Sequence, residues 1–186
     1  MKKIILITGG ARSGKSSFAE EKAKDIGREI LYIATAIPFD DEMKDRIKKH
    51  REQRPKQWKT VEMYSDFNRL LSLNAFHSSD CLLLDCVTIM VTNLMMASEE
   101  DFDQCAQQII DDVEGGIHHE IKKLINLCEE NHKKLILVTN ELGMGVVPAN
   151  RFSRIFRDIA GRINQYAAKK ADEVYLTVSG IPMKLK

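Results

Sequence analysis

Residues 3–16 read KIILITGGARSGKS. The first six form a short apolar, β-branched run closed by two glycines, the pattern of a buried strand. Gly9 to Ser16 then fits G-x-x-x-x-G-K-[ST], and a helical pattern begins at residue 15. Strand, glycine loop and helix in that order give the motif its physical meaning as a P-loop. The glycines let backbone N–H groups converge on phosphate oxygens, and the helix adds the positive end of its dipole. Lys15 is then placed to reach the β- and γ-phosphates, and the Ser16 hydroxyl to bind Mg²⁺. Gly9, Gly10, Ala11, Arg12, Ser13, Gly14, Lys15 and Ser16 are therefore candidate nucleotide-binding residues, and a nucleoside triphosphate is the expected ligand.

Further apolar runs follow at 30–35 (ILYIAT), 81–85 (CLLLD), 134–140 (KLILVTN) and 173–179 (EVYLTVS). Helical patterns lie near 15–26, 40–54, 66–73, 87–97, 102–130 and 150–170. Near-continuous apolar strands alternating with helices predict an α/β domain: a P-loop NTPase, RecA-like, with a mostly parallel central sheet flanked by helices. Gly27 reads as a helix stop and Gly115-Gly116 as a break in the long 102–130 pattern. With no repeat or linker in view, residues 1–186 are expected to form one nucleotide-binding domain.

Composition narrows the function classes. Twenty-eight basic against twenty-seven acidic residues leave a net charge of +1. That balance gives no whole-protein attraction to nucleic acid or to an anionic membrane. The longest apolar stretch, CVTIMVTNLMMA (86–97), is too short to span a bilayer and reads as a buried helix. Cys81, Cys86, Cys105 and Cys128 lack C-x-x-C spacing, so reduced thiols in a cytoplasmic protein are expected.

A P-loop needs an acidic partner at the end of a neighbouring strand to hold its metal, and CLLLDC offers Asp85. The competing reading of Asp85 is a turn residue or helix cap, a role Thr88 could share. Asn140 and Glu141 end another strand, where open α/β sheets line their ligand crevice. Arg12, Arg154 and Arg157 are candidates for stabilising transition-state charge.

In the 40–54 pattern, Met43, Ile47, His50 and Arg54 share one helical face. His50 thus continues an apolar line, which by spacing alone describes a packing histidine, although a neutral imidazole is also a competent nucleophile toward phosphorus.

Taken together, ITGGARSGKS (7–16), YIATA (32–36), DDEMKDRIKKHREQRPKQWKTVE (40–62), LLLDCVTIMVTNL (82–94), VTNELGMGVVP (138–148), FRDIAGRINQ (156–165) and ADEVYLTVSGIP (171–182) resemble one family. It is the bifunctional adenosylcobinamide kinase/adenosylcobinamide-phosphate guanylyltransferase family of cobalamin biosynthesis, and the resemblance spans essentially the whole chain. It implies phosphorylation of adenosylcobinamide by ATP or GTP. It then implies transfer of GMP from GTP, through a guanylyl-histidine, to adenosylcobinamide phosphate. The resemblance makes His50 the GMP carrier, with Lys15 as the other catalytic residue. It adds Ala34, Thr35, Ala36, Arg51, Glu52, Gln53, Arg54, Glu62 and Asp85 as nucleotide contacts, beside Ser16 and Asp85 as the Mg²⁺ ligands expected from the P-loop pattern. It also implies a homo-oligomer, preferably a trimer, and the Met90, Met95 and Met96 stretch is assigned mainly to a core helix. Two rivals stand beside it. One is another small-molecule P-loop kinase with His50 structural; the other is a polynucleotide-driven module of the RecA type.

Overall fold

The computed structural model describes residues 3–38, 44, 51–52 and 54–186. His50, Gln53, Met43 and Ile47 lie outside the described residues. Among the described residues, seven strands form one sheet: β1 (Lys3–Gly9), β2 (Ile30–Ala34), β3 (Lys59–Glu62), β4 (Cys81–Asp85), β5 (Lys134–Asn140), β6 (Glu173–Val178) and β7 (Ile181–Lys184). Their order is β3-β2-β4-β5-β1-β6-β7. All neighbours pair in parallel except β6 and β7, which are antiparallel. That hairpin turns at Ser179 and Gly180, with φ of 51° and 82°. Two left-handed residues match the twist of a two-residue hairpin loop.

The helices are α1 (Lys15–Ile26), α2 (Asn74–Ser78), α3 (Val87–Ala97), α4 (Gln107–Glu130) and α5 (Arg151–Lys170). Strand side chains alternate between faces, so each apolar run feeds two cores. Ile5, Ile7, Tyr32, Leu83, Ile136 and Val138 meet Ala19 and Ala23 of α1. Ile4, Leu6, Ile33, Leu84, Leu135 and Leu137 meet α3, α4 and α5 on the other face. The helices after β1 and β5, two adjacent strands, therefore lie on opposite sides of the sheet.

Two expectations change. The 102–130 pattern is not broken at its glycines: α4 runs unbroken from Gln107 to Glu130. Ile110 and Ile117, seven residues apart and both buried, straddle Gly115-Gly116 on one face. Two glycines cost a helix about 2 kcal/mol against alanine, and burying two isoleucines returns roughly 3–6 kcal/mol, so packing wins. The 66–73 pattern is a 3-10 helix over Phe67–Ser72, followed by α2. Gly27 does end α1, but in extended backbone with φ of −104° rather than as a left-handed cap. It is needed for room, since a Cβ there would stand 2.6 Å from Cys81 Cβ.

Asp80 straps the amino-terminal edge. Its Oδ1 accepts from the N–H groups of Arg28 and Glu29, both at 2.9 Å, and its Oδ2 from Lys134 Nζ at 3.1 Å. Partial burial pushes its pKa up, but the two N–H groups and the ammonium outweigh that and hold it below the ordinary carboxylate value. A folded-state pKa below the unfolded one stabilises fully above the unfolded value and is lost as pH falls through the folded one. Asp80→Asn should therefore lower stability at pH 7 by about 1–2 kcal/mol, reduced from a buried case by solvent screening. The gap to the parent should close below about pH 4 in thermal melts. A gap that persists at acid pH would assign the effect to packing instead.

Candidate active site

β1 ends against β5 with Gly9 beside Asn140, and β4 ends with Asp85 beside both Val138 and Ala34. Ala34 in turn pairs with Glu62, and Gly9 with Thr177. The carboxyl ends of these parallel strands thus align Glu62, Ala34, Asp85, Asn140 and Gly9 along one edge, where α/β sheets bind ligands.

The glycine loop at that edge is defined by space. A Cβ on Gly9 would stand 2.5 Å from Thr177 O and 2.5 Å from Ser13 Oγ. Gly14 takes φ of 91°, and its Cβ would meet Gly180 Cα at 3.0 Å. Gly180 N–H donates to Ser13 O at 2.8 Å, so the β6–β7 hairpin turn braces the loop from outside. Gly14 caps α1 without a side-chain hydrogen bond, and no acidic residue occupies the first turn. The amino end of α1 is therefore left positive, as an anion site requires. Lys15 Nζ donates to Gly10 O at 3.0 Å, folded over the loop it opens. Ala11 and Arg12 are exposed, and Ser16 is half-buried on the first turn of α1.

Asp85 stands in a charged group that the strand patterns did not disclose. Buried Tyr32 donates its hydroxyl to Asp85 Oδ2 at 2.8 Å, and the Arg54 guanidinium lies 3.6 Å from the centroid of the Tyr32 ring. Arg54 Nε is buried with no hydrogen-bond partner among the described residues. Glu20, on α1 one turn after Ser16, is half-buried; burial raises its pKa, and the Asp85 charge adds to that rise. Burial and the same carboxylate keep the Tyr32 phenol protonated. The Cys86 thiol is pushed up to about 12, first by burial and then by Asp85, so it is not a nucleophile at neutral pH. α3 is capped by Cys86 with no side-chain bond, so neither Asp85 nor Thr88 is its cap.

Thr35 is buried. Its Oγ1 donates to Cys86 O at 2.9 Å and accepts from Cys86 N–H at 2.8 Å, while its carbonyl accepts from Asn93 Nδ2 at 2.6 Å. That side chain is committed to joining β2 to the β4–α3 junction; Ala36, half-buried, follows it. Glu62 pairs with exposed Arg51, and Glu52 is exposed beside it. Arg154 donates to Pro148 O at 3.1 Å and also to Ala149 O, tying the 148–149 segment to α5. Arg157 Nε is 3.8 Å from Asp158 Oδ1.

Behind the edge, a directed loop of hydrogen bonds joins three elements. Asn140 N–H donates to Thr88 Oγ1 at 2.7 Å, and the Thr88 and Thr139 hydroxyls meet at 3.1 Å. Thr139 donates to Asn164 Oδ1 at 2.7 Å, and Asn164 Nδ2 returns to Asn140 O at 3.0 Å. α3, β5 and α5 are thereby fixed to one another next to the P-loop.

A largely parallel sheet, a glycine loop with no room for a side chain at Gly9 or Gly14 and an uncapped helix start define a P-loop nucleotide-binding α/β protein. Residues 5–185 match the model of the cobinamide kinase / cobinamide phosphate guanyltransferase family. The chain is 47% identical over 185 residues to the bifunctional adenosylcobalamin biosynthesis protein CobU of Escherichia coli strain K12, covering 98% of this chain and 99% of that one. It is likewise 47% identical over 188 residues to the protein of the same name from Salmonella typhimurium strain LT2, with the same coverage of both. A KaiC-like protein from Pyrococcus horikoshii OT3 overlays with a TM-score of 0.47 at 15% identity, covering 94% of this chain and 70% of that one. This chain belongs to the cobinamide kinase / cobinamide phosphate guanyltransferase family. None of the helices among the described residues is long and apolar enough to cross a membrane.

Gly9→Ala should weaken binding of a fluorescent triphosphate analogue by at least about tenfold, because the methyl group meets not only the movable Ser13 hydroxyl but also the backbone oxygen of Thr177, which cannot swing away. Unchanged affinity in a folded variant would show that the loop can shift without losing its cradle.

Proposed function

We propose that this chain phosphorylates adenosylcobinamide with ATP or GTP and then transfers GMP from GTP to adenosylcobinamide phosphate, giving adenosylcobinamide-GDP. The observation that carries this reading is the P-loop aligned with Asp85 in a chain that matches, over 98% of its length, relatives named as bifunctional in adenosylcobalamin biosynthesis. The residues proposed to hold the nucleotide are Gly9 to Ser16, with Ala34 to Ala36, Arg51 to Arg54, Glu62 and Asp85 toward the other end of the strand row.

In the kinase step, the loop amides, the α1 amino end and Lys15 would bind and orient the β- and γ-phosphates while the acceptor hydroxyl approaches the γ-phosphorus. Ser16 and Asp85 offer hard oxygen ligands suited to Mg²⁺, and no group of three metal-binding side chains converges among the described residues. That combination fits a cation carried in by a triphosphate rather than one caged by protein. When bound, Mg²⁺ neutralises phosphate charge. Tyr32 would hold one Asp85 oxygen and so turn the carboxylate toward the metal.

In the second reaction, the unprotonated His50 imidazole is proposed to attack the α-phosphorus of GTP. A P–N bond forms, the α–β P–O bond breaks and pyrophosphate leaves. A phosphate oxygen of the corrinoid then attacks the same phosphorus, forming a P–O–P link and releasing the imidazole. Cytoplasmic location is proposed from this chemistry and from the four unpaired cysteines. A homo-oligomer, preferably a trimer, is supported by the edge strand β7, where Ile181 and Met183 expose apolar surface in an alternating row that Leu185 continues.

Incubation with Mg²⁺ and α-labelled GTP, without corrinoid, should leave acid-labile label on denatured protein, and His50→Ala should carry none. Absence of label together with retained phosphorylation of adenosylcobinamide would reduce the protein to a plain kinase. Tyr32→Phe keeps the ring beneath Arg54 but removes the bond to Asp85. It should raise the Mg²⁺ concentration needed for half-maximal phosphorylation by roughly threefold or more, the loss of about one neutral-donor hydrogen bond. An unchanged Mg²⁺ requirement would remove Tyr32 from the metal site.

A further inference from the structure

We propose that the cleft between the 141–147 segment and α5 is where the corrinoid acceptor docks, its hydroxyl-bearing tail pointed at the P-loop. This rests on the corrinoid reading proposed above and assigns it a place. The cleft has a volume of about 430 Å³ and is lined by Glu141, Val147, Arg157, Asp158, Arg162 and Gln165, among others. Position is the first argument. Glu141 N–H donates to Gly9 O at 3.1 Å, so the cleft begins one residue beyond β5 and touches the start of the cradle. β1 and β5 are adjacent, and the helices that follow them lie on opposite faces of the sheet. The crevice between two such loops is where an open α/β sheet takes its ligand.

Charge argues against a second nucleotide site. Two arginines face two carboxylates along the wall. Arg162 is held by Glu114 through bonds of 2.5 and 2.7 Å, and Glu141 Oε1 accepts from Gly143 N–H at 2.8 Å. A balanced set of donors and acceptors suits a ligand fringed with neutral amides, as a corrinoid is, better than a triphosphate. Leu142 and Val147 line the cleft, and the same segment exposes apolar surface beside it: Met144, Val146 and Val147 are 80%, 94% and 60% exposed. Three large apolar side chains on one short segment suit the hydrophobic face of a macrocycle. The cavity falls within the usual range for small-molecule sites, which admits the tail and ring edge while the rest of the macrocycle lies on the rim.

Gly161 supplies an independent mark. It sits mid-helix in α5, where glycine is less stable than alanine, and apart from its chain neighbours and the adjacent backbone of its own helix no atom lies within 4 Å of where its Cβ would be. Gly115 and Gly116 also lack near neighbours, but they lie on open surface, whereas Gly161 is half-buried and lines the cleft. Its missing side chain therefore enlarges a cavity instead of permitting a protein contact.

The full chain carrying Gly161→Leu tests this with three readings: label taken from α-labelled GTP without corrinoid, equilibrium dialysis of adenosylcobinamide followed by its visible absorption, and molar mass by light scattering. The helix should be at least as stable, label uptake within about twofold of the parent and molar mass unchanged, while corrinoid affinity falls by about tenfold or more. Corrinoid affinity equal to the parent would overturn the proposal. So would loss of label with corrinoid binding intact, which would give the cleft to the nucleotide, or a changed molar mass, which would make it a subunit contact. Should Gly161→Leu fail to fold, Gly161→Ala and Gln165→Ala decide by the same readings. A parent protein that neither binds nor phosphorylates adenosylcobinamide would instead sink the proposed function, leaving the two failures distinct.

Discussion

Gly9 ends β1 in a gap between Thr177 O and Ser13 Oγ that leaves no space for a Cβ, 2.5 Å on either side. Because β1 lies between β5 and β6, that gap sets how closely the P-loop sits against both. The loop inherits its position from the sheet register on one side and from the β6–β7 hairpin turn on the other. A cradle made of backbone amides has no side chains to readjust, so its precision must come from strands whose apolar residues are fully packed on both faces. Those strands supply it: Ile5, Ile7, Ile136 and Val138 are completely buried, two or four residues before Gly9 and Asn140.

The polar ring of Thr88, Thr139, Asn140 and Asn164 extends the same constraint to the helices. Each bond alone contributes about 1 kcal/mol net, but leaving one buried partner unmade costs about 1–3 kcal/mol. The ring is thus worth less as stability than as a penalty against any other arrangement of α3, β5 and α5. That is the property a site edge needs, since the proposed acceptor cleft is built from the end of β5 and the flank of α5. Tyr32 performs a parallel task on the other face. One fully buried residue orients Asp85 through its hydroxyl and seats Arg54 on its ring.

Reading the chain as sequence reached the five buried strands, the P-loop and Asp85 because each follows from a local pattern. It did not reach β3, whose residues 59–62 are exposed or half-buried and gain strand structure from pairing with β2. Nor did it reach β7, an exposed edge strand containing Pro182. Gly115-Gly116 suggested a break since local propensity cannot weigh two isoleucines packed across them. Tyr32 was hidden inside an apolar run where a phenol looks like any core ring. Thr88 and Asn164 belong to separate helices, and only the register of β5 brings them together. The 141–147 segment carried a marker of the family but no motif, because a neutral amide-fringed ligand requires shape and balanced polarity, which leave no short signature.

The two proposed reactions ask one cradle for different phosphorus atoms. If Lys15 and the α1 amino end hold the β- and γ-phosphates as proposed, an acceptor in the α5-side cleft would meet the terminal phosphate first. The α-phosphorus lies two phosphates away. Arg54, stacked on Tyr32, belongs to the α1 face of the sheet, opposite the core that contains α5. Arg51 pairs with Glu62 at the β3 end of the row. Arg51 and Arg54 thus approach from a different side than the cleft does. A corrinoid docked for kinase chemistry could reach the α-phosphorus only by leaving its own site. The proposed carrier His50, which precedes Arg51 in sequence, would remove that requirement: it would take GMP at one position and deliver it to a phosphate that the acceptor already presents. On this reading, the covalent step follows from two substrates reaching one P-loop from opposite faces of a rigid sheet.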